Sequence, residues 1–306
     1  MSVKPLFRYI GGKSFLKDKL EEKIELVLKN ECITKYEEWF SGGLGSFFAI
    51  CNKLKEYKIK EVLLNDINKK LISVYKNIYY GNGERLIFEY MKIENEFQKT
   101  IPKNTYLLHK VKDKDLIKIK LTNSRDYYKK IVNIFNQTND NFFQAVYLIF
   151  LQNHSFNGIY RENQKGEYNT PFNWEAKKIT KELISTRIKN IENCFKDFNI
   201  TFLNVDFTEL IENKNSVVYL DPPYINNGMS ENKYSKTAFN FEKQMQLINK
   251  IKELNFIYSN HFDERILNKF NDFGNIDIEK VFRKNIISAS KESRKNDKIE
   301  VLIMKK

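Results

Sequence analysis

Apolar and polar positions along the chain follow two alternating periods. Phe15, Leu16, Leu20, Ile24, Val27 and Leu28 recur at helical spacing and predict a first helix. An aromatic and apolar piece, "YEEWF", then runs into Gly42, Gly43 and Gly45 and on into the apolar "SFFAICNKL". That order predicts strand, glycine turn and helix. "KEVLLNDIN" is a short β-rich run ending in Asp66, and "KKLISVYKNIYYGNG" predicts a helix stopped at Gly81 and Gly83.

Over residues 84–175 the character changes. Long helical stretches dominate, among them "NFFQAVYLIFLQNHSF", and a turn-rich loop, "NGIYRENQKGEYNTPFNW", ends the region. Strand signals return at "ITFLNVDF", "SVVYLDPPY", "FIYSN", "IDIEKVF" and "KIEVLIMKK". Strands alternating with helices predict an α/β fold, its sheet mainly parallel and covered on both faces. The last two strands flank the basic "RKNIISASKESRKND", which suits an antiparallel hairpin at one edge. No internal repeat or low-complexity linker interrupts the pattern.

Composition narrows the class. At 306 residues the chain can bury one large core or two smaller ones, and 42% hydrophobic with 30% charged content is that of a globular protein. No run reaches the ~18 apolar residues of a membrane span. The N-terminus lacks an apolar signal core, and Cys32, Cys51 and Cys194 lie far apart, so a cytoplasmic protein with reduced thiols is expected. A net charge of +13 favours a polyanionic partner, nucleic acid first. The joint richness in Lys, Asn and Ile offers another source of that charge, AT-rich codon usage.

Three stretches carry candidate chemistry. "YIGGKSF" ends like a triphosphate-binding loop, yet Phe7 stands where that loop needs its first glycine, and no strand precedes it. "FSGGLG", between strand and helix, brings backbone close to a helix N-terminus, where a nucleotide-like ligand can meet free N–H groups. Asp66, ending the next strand, stands where an α/β sheet places a carboxylate for ribose hydroxyls. A plain glycine turn is the alternative. "DPPY" closes the apolar "VVYL"; its two prolines fix a rigid bend, beside which Asp221 adds a carboxylate and Tyr224 a flat ring. Acceptors next to a stacking ring suit a planar molecule with an exocyclic amino group. A strand-ending turn with a surface tyrosine is the simpler reading. His109, His154 and His261 show no metal-ligand spacing, and no G-x-S-x-G turn is present.

Taken in order, "RYIGGKS", "FSGGLG", "NDIN", "NHSFNGIYRENQKGEYNTPF", "NVDF", "DPPY", "SNH" and "SASKESRKNDKIEVLI" resemble the Dam-type DNA adenine-N6 methyltransferases, the α-ordered amino-methyltransferases, over nearly the whole chain. The resemblance implies a Rossmann-like S-adenosylmethionine-dependent domain over residues 1–83 and 176–306, with a mainly helical target-recognition insertion over 84–175. It implies that Tyr9 and Lys13 face the methionine end of the cofactor, that Phe40, Ser41, Gly42, Gly43 and Gly45 form the cofactor turn, and that Asp66 holds the ribose. Asp206 and Phe207 would hold the cofactor's adenine, with Asp221 also bordering the cofactor.

For catalysis it implies that the Asp221 carboxylate and the Pro222 carbonyl, in a bend stiffened by Pro223, accept the N6 hydrogens of a flipped adenine stacked on Tyr224. For sequence readout it implies Phe156, Asn157, Ile159, Arg161 and Pro171, with Arg8 touching another base. A GATC or GAT-containing site in double-stranded DNA follows, although Trp174 and Glu175 depart from the commonest pattern. The lysine-rich stretch 284–298 is expected to track phosphates or to be a solvated loop. No metal and no membrane are implied, a monomer is favoured, and a cognate restriction endonuclease is an open partner. The same chemistry on RNA adenine or on N4 of DNA cytosine, and a silent cofactor-sensing DNA-binding protein, are the alternatives.

Overall fold

The computed structural model describes residues 3–7, 13–30, 32–102, 114–174, 178–224, 239–283 and 298–305. Its strands are β1 (Lys35–Glu38), β2 (Glu61–Asn65), β3 (Asn199–Leu203), β4 (Ser216–Leu220), β5 (Asn255–His261), β6 (Ile276–Arg283) and β7 (Lys298–Lys305). They form one sheet in the order β3-β2-β1-β4-β5-β7-β6. The first five strands run parallel, with Lys35 opposite both Glu61 and Ser216. β7 runs antiparallel to both β5 and β6, which is the expected edge hairpin.

From β1 the chain winds outward through β2 to β3, and from β4 it winds the other way to β5. Such a reversal opens a crevice at the carboxyl ends of β1 and β4, where open α/β sheets bind ligands.

Helices α1 (Lys17–Leu28), α2 (Gly45–Glu56) and α3 (Lys69–Tyr79) precede α4 (Gly83–Thr100), α5 (Lys114–Lys120), α6 (Thr122–Gln137) and α7 (Asn141–His154). After them come α8 (Lys181–Phe195), α9 (Phe241–Ile251) and α10 (Glu264–Phe270). Side chains at the starts declare many of these helices. Asn68, Asp140, Thr180, Asn240 and Asp263 each accept a backbone N–H in the first turn of the helix they precede.

Alternation along each strand splits the core. Tyr36, Val62, Leu64, Val217, Tyr219 and Ile257 join the face packed by α1, α2, α3 and α8. Trp39, Leu63, Val218, Leu220, Phe256 and Tyr258 join the face packed by α9 and α10. The first cluster continues without a break into Tyr90, Phe97, Tyr128, Phe135 and Phe150 of α4, α6 and α7. At ~1.5–3 kcal/mol for each fully buried large apolar side chain, this shared core ties α4, α6 and α7 to the sheet. No helix among the described residues is long and apolar enough to cross a membrane.

Three local expectations change. Phe15 lies in a short 3-10 turn ahead of α1 and is exposed, while Leu16, Leu20, Ile24, Val27 and Leu28 are buried. Gly81, at φ +82°, follows the end of α3, but Gly83 is the first residue of α4 rather than a stop. A Cβ at Gly83 would meet the side chains of Glu192 and Ile188, so the start of α4 packs closely on α8 and a larger residue there would make those side chains shift. The run 200–207 is strand only to Leu203; beyond it Asp206 caps a single turn over Phe207–Glu209.

Candidate active site

The glycine turn leaves β1 through Phe40 and Ser41 and bends on two left-handed residues, Gly42 at φ +46° and Leu44 at φ +58°. Asn65, at the end of β2, anchors it. Its side chain donates to the carbonyls of Trp39 and Val205 and accepts the Val205 N–H, while its own carbonyl accepts the Ser41 N–H. One buried amide thus binds three strand ends together.

Asp66 follows and touches the same turn. Its Oδ2 accepts the Gly42 N–H at 2.8 Å and its Oδ1 accepts the Asn68 N–H at 2.8 Å. Burial pushes the Asp66 carboxyl up from its ordinary value, against these two backbone bonds. The Tyr75 hydroxyl, from α3, donates to the Gly43 carbonyl. The Ser41 hydroxyl is buried and has no partner among the described residues. The first N–H groups of α2 have no intrahelical acceptor, as at any helix start.

Past the end of β3, Asp206 caps the turn that carries Phe207. The rings of Phe40, Phe207 and Phe239 lie 5.6–5.8 Å apart. Thr208 donates to Asp206 Oδ1, and Lys243 from α9 donates to Oδ2 at 2.7 Å. Burial alone would push the Asp206 carboxyl up; the Lys243 ammonium and the Thr208 donors hold it below its ordinary value.

Asp221, Pro222, Pro223 and Tyr224 emerge from β4 beside this turn. Lys13 stands against them with 1% exposure, a burial an ammonium tolerates only with partners. Its Nζ lies 2.7 Å from Asp221 Oδ2, donates to the Tyr224 hydroxyl, and sits 4.9 Å from the Tyr224 ring centroid. His261, at the end of β5, also packs against that ring, with centroids 4.0 Å apart. Burial raises the Asp221 carboxyl, and Lys13 works against the rise. Burial and the nearby Asp221 carboxylate push the Tyr224 phenol far up. Beneath them Glu38 is fully buried, bonded by the hydroxyls of Tyr36 and Ser46, and pushed up to about 8, chiefly by burial.

A hairpin over residues 155–172 carries the remaining candidates. It is closed by the bridges Ser155–Phe172 and Glu162–Tyr168. The Phe156 N–H donates to the Pro171 carbonyl, and Asn157 turns at φ +56°. Phe156, Asn157 and Pro171 are exposed on it; Ile159 and Arg161 are half-buried. Lys70, in the first turn of α3, reaches Glu162 of this hairpin at 3.3 Å.

The sequence-predicted residues therefore gather in two places, the carboxyl edge of the sheet and the hairpin. Arg8, Tyr9, Glu175 and residues 284–297 lie outside the described residues. Pattern reading missed Asn65, Glu38, Lys243, Phe239 and His261. Of these Glu38 carried a local signal, a charge inside a strand, while Asn65 and His261 stood within "NDIN" and "SNH" with no role attached. Among the described residues no group of three His, Cys, Asp or Glu side chains could hold a metal ion.

A family model for the D12 class N6 adenine-specific DNA methyltransferases matches residues 9–285. The chain is 29% identical over 315 residues to the type II methyltransferase M.MjaIII of Methanocaldococcus jannaschii, with 99% of each chain covered. It is 27% identical over 223 residues to the type II methyltransferase M.CviBI of Paramecium bursaria Chlorella virus NC1A, covering 72% of this chain and 69% of that one. It is 26% identical over 245 residues to the DNA adenine methylase of Escherichia coli K12, covering 78% and 72%. The family match takes in the glycine turn, the inserted helices, the hairpin and the strand end at Asp221 in one span, and the chain belongs to the D12 class of N6 adenine-specific DNA methyltransferases.

Proposed function

We propose that the methyl donor of this DNA methyltransferase is S-adenosylmethionine, and that the acceptor is an adenine flipped out of duplex DNA against Asp221 and Tyr224. The observation that carries the reading is convergence. The glycine turn, Asp66, Asp206 and Asp221 follow four neighbouring strands of one sheet, β1, β2, β3 and β4, around the point where the sheet reverses direction.

The residues fit such a donor. The orphaned Ser41 hydroxyl and the open N–H groups of α2 suit a carboxylate, Asp66 keeps lone pairs for ribose hydroxyls, and Asp206 beside Phe40, Phe207 and Phe239 suits a planar base with an amino group. When bound, S-adenosylmethionine supplies a sulfonium methyl to a nitrogen nucleophile. The chain's part is to present that nitrogen. A duplex hides adenine N6 in the stack, so the base must leave it, and the Tyr224 ring provides a face to receive it. Each Asp221 oxygen has two lone pairs, so the bond to Lys13 does not exhaust the carboxylate. Asp221 and the Pro222 carbonyl would accept the two N6 hydrogens, aim the lone pair away from themselves, and stabilise the positive charge that grows on N6. Lys13 holds Asp221 and Tyr224 in register with each other.

Residues 84–175 serve as the target-recognition part in this reading. Phe156, Asn157, Ile159, Arg161 and Pro171 face the bases, Arg161 reads a guanine, and the site contains GAT, with GATC as the first candidate. Relatives named as type II methyltransferases make a cognate restriction endonuclease the partner to seek. The enzyme acts as a monomer in the cytoplasm, on double-stranded DNA.

The deciding experiment combines labelled methyl transfer to duplex DNA, nucleoside analysis and calorimetry with S-adenosylmethionine. Wild-type enzyme should yield N6-methyladenine. Asp221→Ala should lose transfer by at least ~10³-fold, the scale of losing a transition-state acceptor, while still binding S-adenosylmethionine. Substantial turnover by that variant would sink the catalytic assignment, and absent binding by the wild type would sink the donor.

A further inference from the structure

Arg161 is held by a residue that nothing so far has assigned. Its Nε donates to Asn169 Oδ1 at 2.7 Å, and its Nη2 donates to the Asn169 carbonyl at 2.7 Å. Across the hairpin, the Asn169 N–H donates to the Arg161 carbonyl at 3.0 Å. One residue, by side chain and backbone together, takes up a whole edge of the guanidinium.

That matters because a guanidinium is flat and its donors point in fixed directions. With the Nε–Nη2 edge engaged, the plane of the group and its heading are set. What remains is the end formed by Nη1 and the second Nη2 hydrogen, and Nη1 donates to no described residue. Two parallel N–H groups at that end match the paired O6 and N7 acceptors of guanine in the major groove.

Asn169 is itself firmly placed. Its neighbours Tyr168 and Thr170 point the other way and are buried. The Asn136 side chain, from α6, accepts the Tyr168 N–H at 2.8 Å and donates to the Tyr168 carbonyl at 3.0 Å. The Tyr128 hydroxyl, also from α6, donates to the Thr170 carbonyl at 3.0 Å. Both sides of Asn169 are thus pinned to a helix, so its carbonyl is a fixed point for Arg161.

We infer that Asn169 is a positioning residue that sets sequence specificity by presenting the Nη1–Nη2 end of Arg161 to a guanine edge. The inference rests on the proposal that Arg161 reads a base. An arginine without this support would lose rotamer freedom on docking and could swing to a nearby phosphate, which carries no sequence information. Held by Asn169, it meets the base already oriented.

The test uses the full-length enzyme and its Arg161→Ala, Asn169→Ala and Asn169→Asp variants. Each methylates a pool of duplexes with a randomised window, and methylated sites are mapped position by position. A duplex with 7-deazaguanine at the position in question, which lacks the N7 acceptor, is then compared with its guanine parent.

Arg161→Ala should flatten the preference at one base pair. Asn169→Ala should flatten the same base pair by about tenfold, within the range a bidentate contact commands. Asn169→Asp, which keeps the side-chain acceptor, should restore it. The 7-deaza substitution should slow the wild type and Asn169→Asp, and barely affect Asn169→Ala. Full discrimination in Asn169→Ala at the position that Arg161→Ala flattens overturns the role of Asn169 and leaves that of Arg161 standing. A uniform loss in Arg161→Ala removes both. A uniform loss in Asn169→Ala, with no base pair singled out, marks Asn169 as a phosphate contact and also overturns the inference. If Asn169→Ala melts early, Asn169→Asp set against Asn169→Leu decides the same question.

Discussion

Glu38 lies at the carboxyl end of β1 with its carboxyl fully buried, between the hydroxyls of Tyr36 and Ser46. Asp221 and Asp66 both face it and add to the upward push of burial, and its value reaches about 8 against an ordinary 4.5. The unfolded chain gives up this proton near 4.5, whereas the native protein keeps it to about 8. Between those values the native state binds more protons than the unfolded one, so stability falls as pH rises and levels off above about 8. The slope from one such group is at most about 1.4 kcal/mol per pH unit. Glu38→Gln imitates the protonated form, bonding both hydroxyls without titrating. Its denaturation midpoint, followed from acid to mildly basic pH, should fall less steeply than that of the wild type. Parallel curves for the two proteins would show that Glu38 is not the group that titrates. A neutral Glu38 also spares the Asp221 carboxylate a second negative charge beside it, which keeps Asp221 available as an acceptor.

At the scale of elements, most of what the pattern predicted is present. The helices from α1 to α3, the strands around Asp66 and Asp221, and the hairpin of β6 and β7 follow from periodicity and from capping residues such as Asn68. Local chemistry suffices there, because a cap or a period involves residues a few positions apart. It did not suffice for Gly83, whose close neighbours are Glu192 and Ile188 on α8. Nor did it reveal what carries the hairpin over residues 155–172. Glu94 of α4, with 0% exposure, bonds Tyr90, Gln98, the Ile179 N–H and His154 Nε2. The Phe97 and Phe150 rings pack at 4.3 and 4.6 Å from the His154 ring, and the His154 carbonyl accepts the Asn173 N–H at the base of the hairpin. His154 therefore acts as a core histidine in this structure. Glu94→Ala would strand several buried donors and should cost about 3 kcal/mol or more, read from urea unfolding. A cost below about 1 kcal/mol, the worth of one ordinary hydrogen bond, would mean that water replaces the carboxylate.

For the whole molecule the net charge of +13 gains meaning from the family, since DNA is the substrate. If those lysines and arginines neutralise phosphates, log K against log salt should fall with a slope of about −5 or steeper, as for roughly six phosphate contacts. Fluorescence anisotropy with a labelled duplex over a salt series measures it. A slope shallower than about −2 would assign the excess charge to composition rather than to binding.

By itself the sequence determined the motifs and their order. It also determined the alternation of strands and helices, since glycine turns, proline bends and apolar periods are local properties of the chain. Only the tertiary structure decided the strand order, which places the ends of β1 and β4 side by side. It alone brought Lys13 onto Asp221 and Tyr224, the latter 211 positions away, and set His261 against the ring. It alone joined three strand ends through Asn65 and turned Arg161 toward its free end through Asn169. The physical reason is the same throughout. A buried charge or a fixed guanidinium depends on what the packed core brings within a few ångströms, and no spacing along the chain records that.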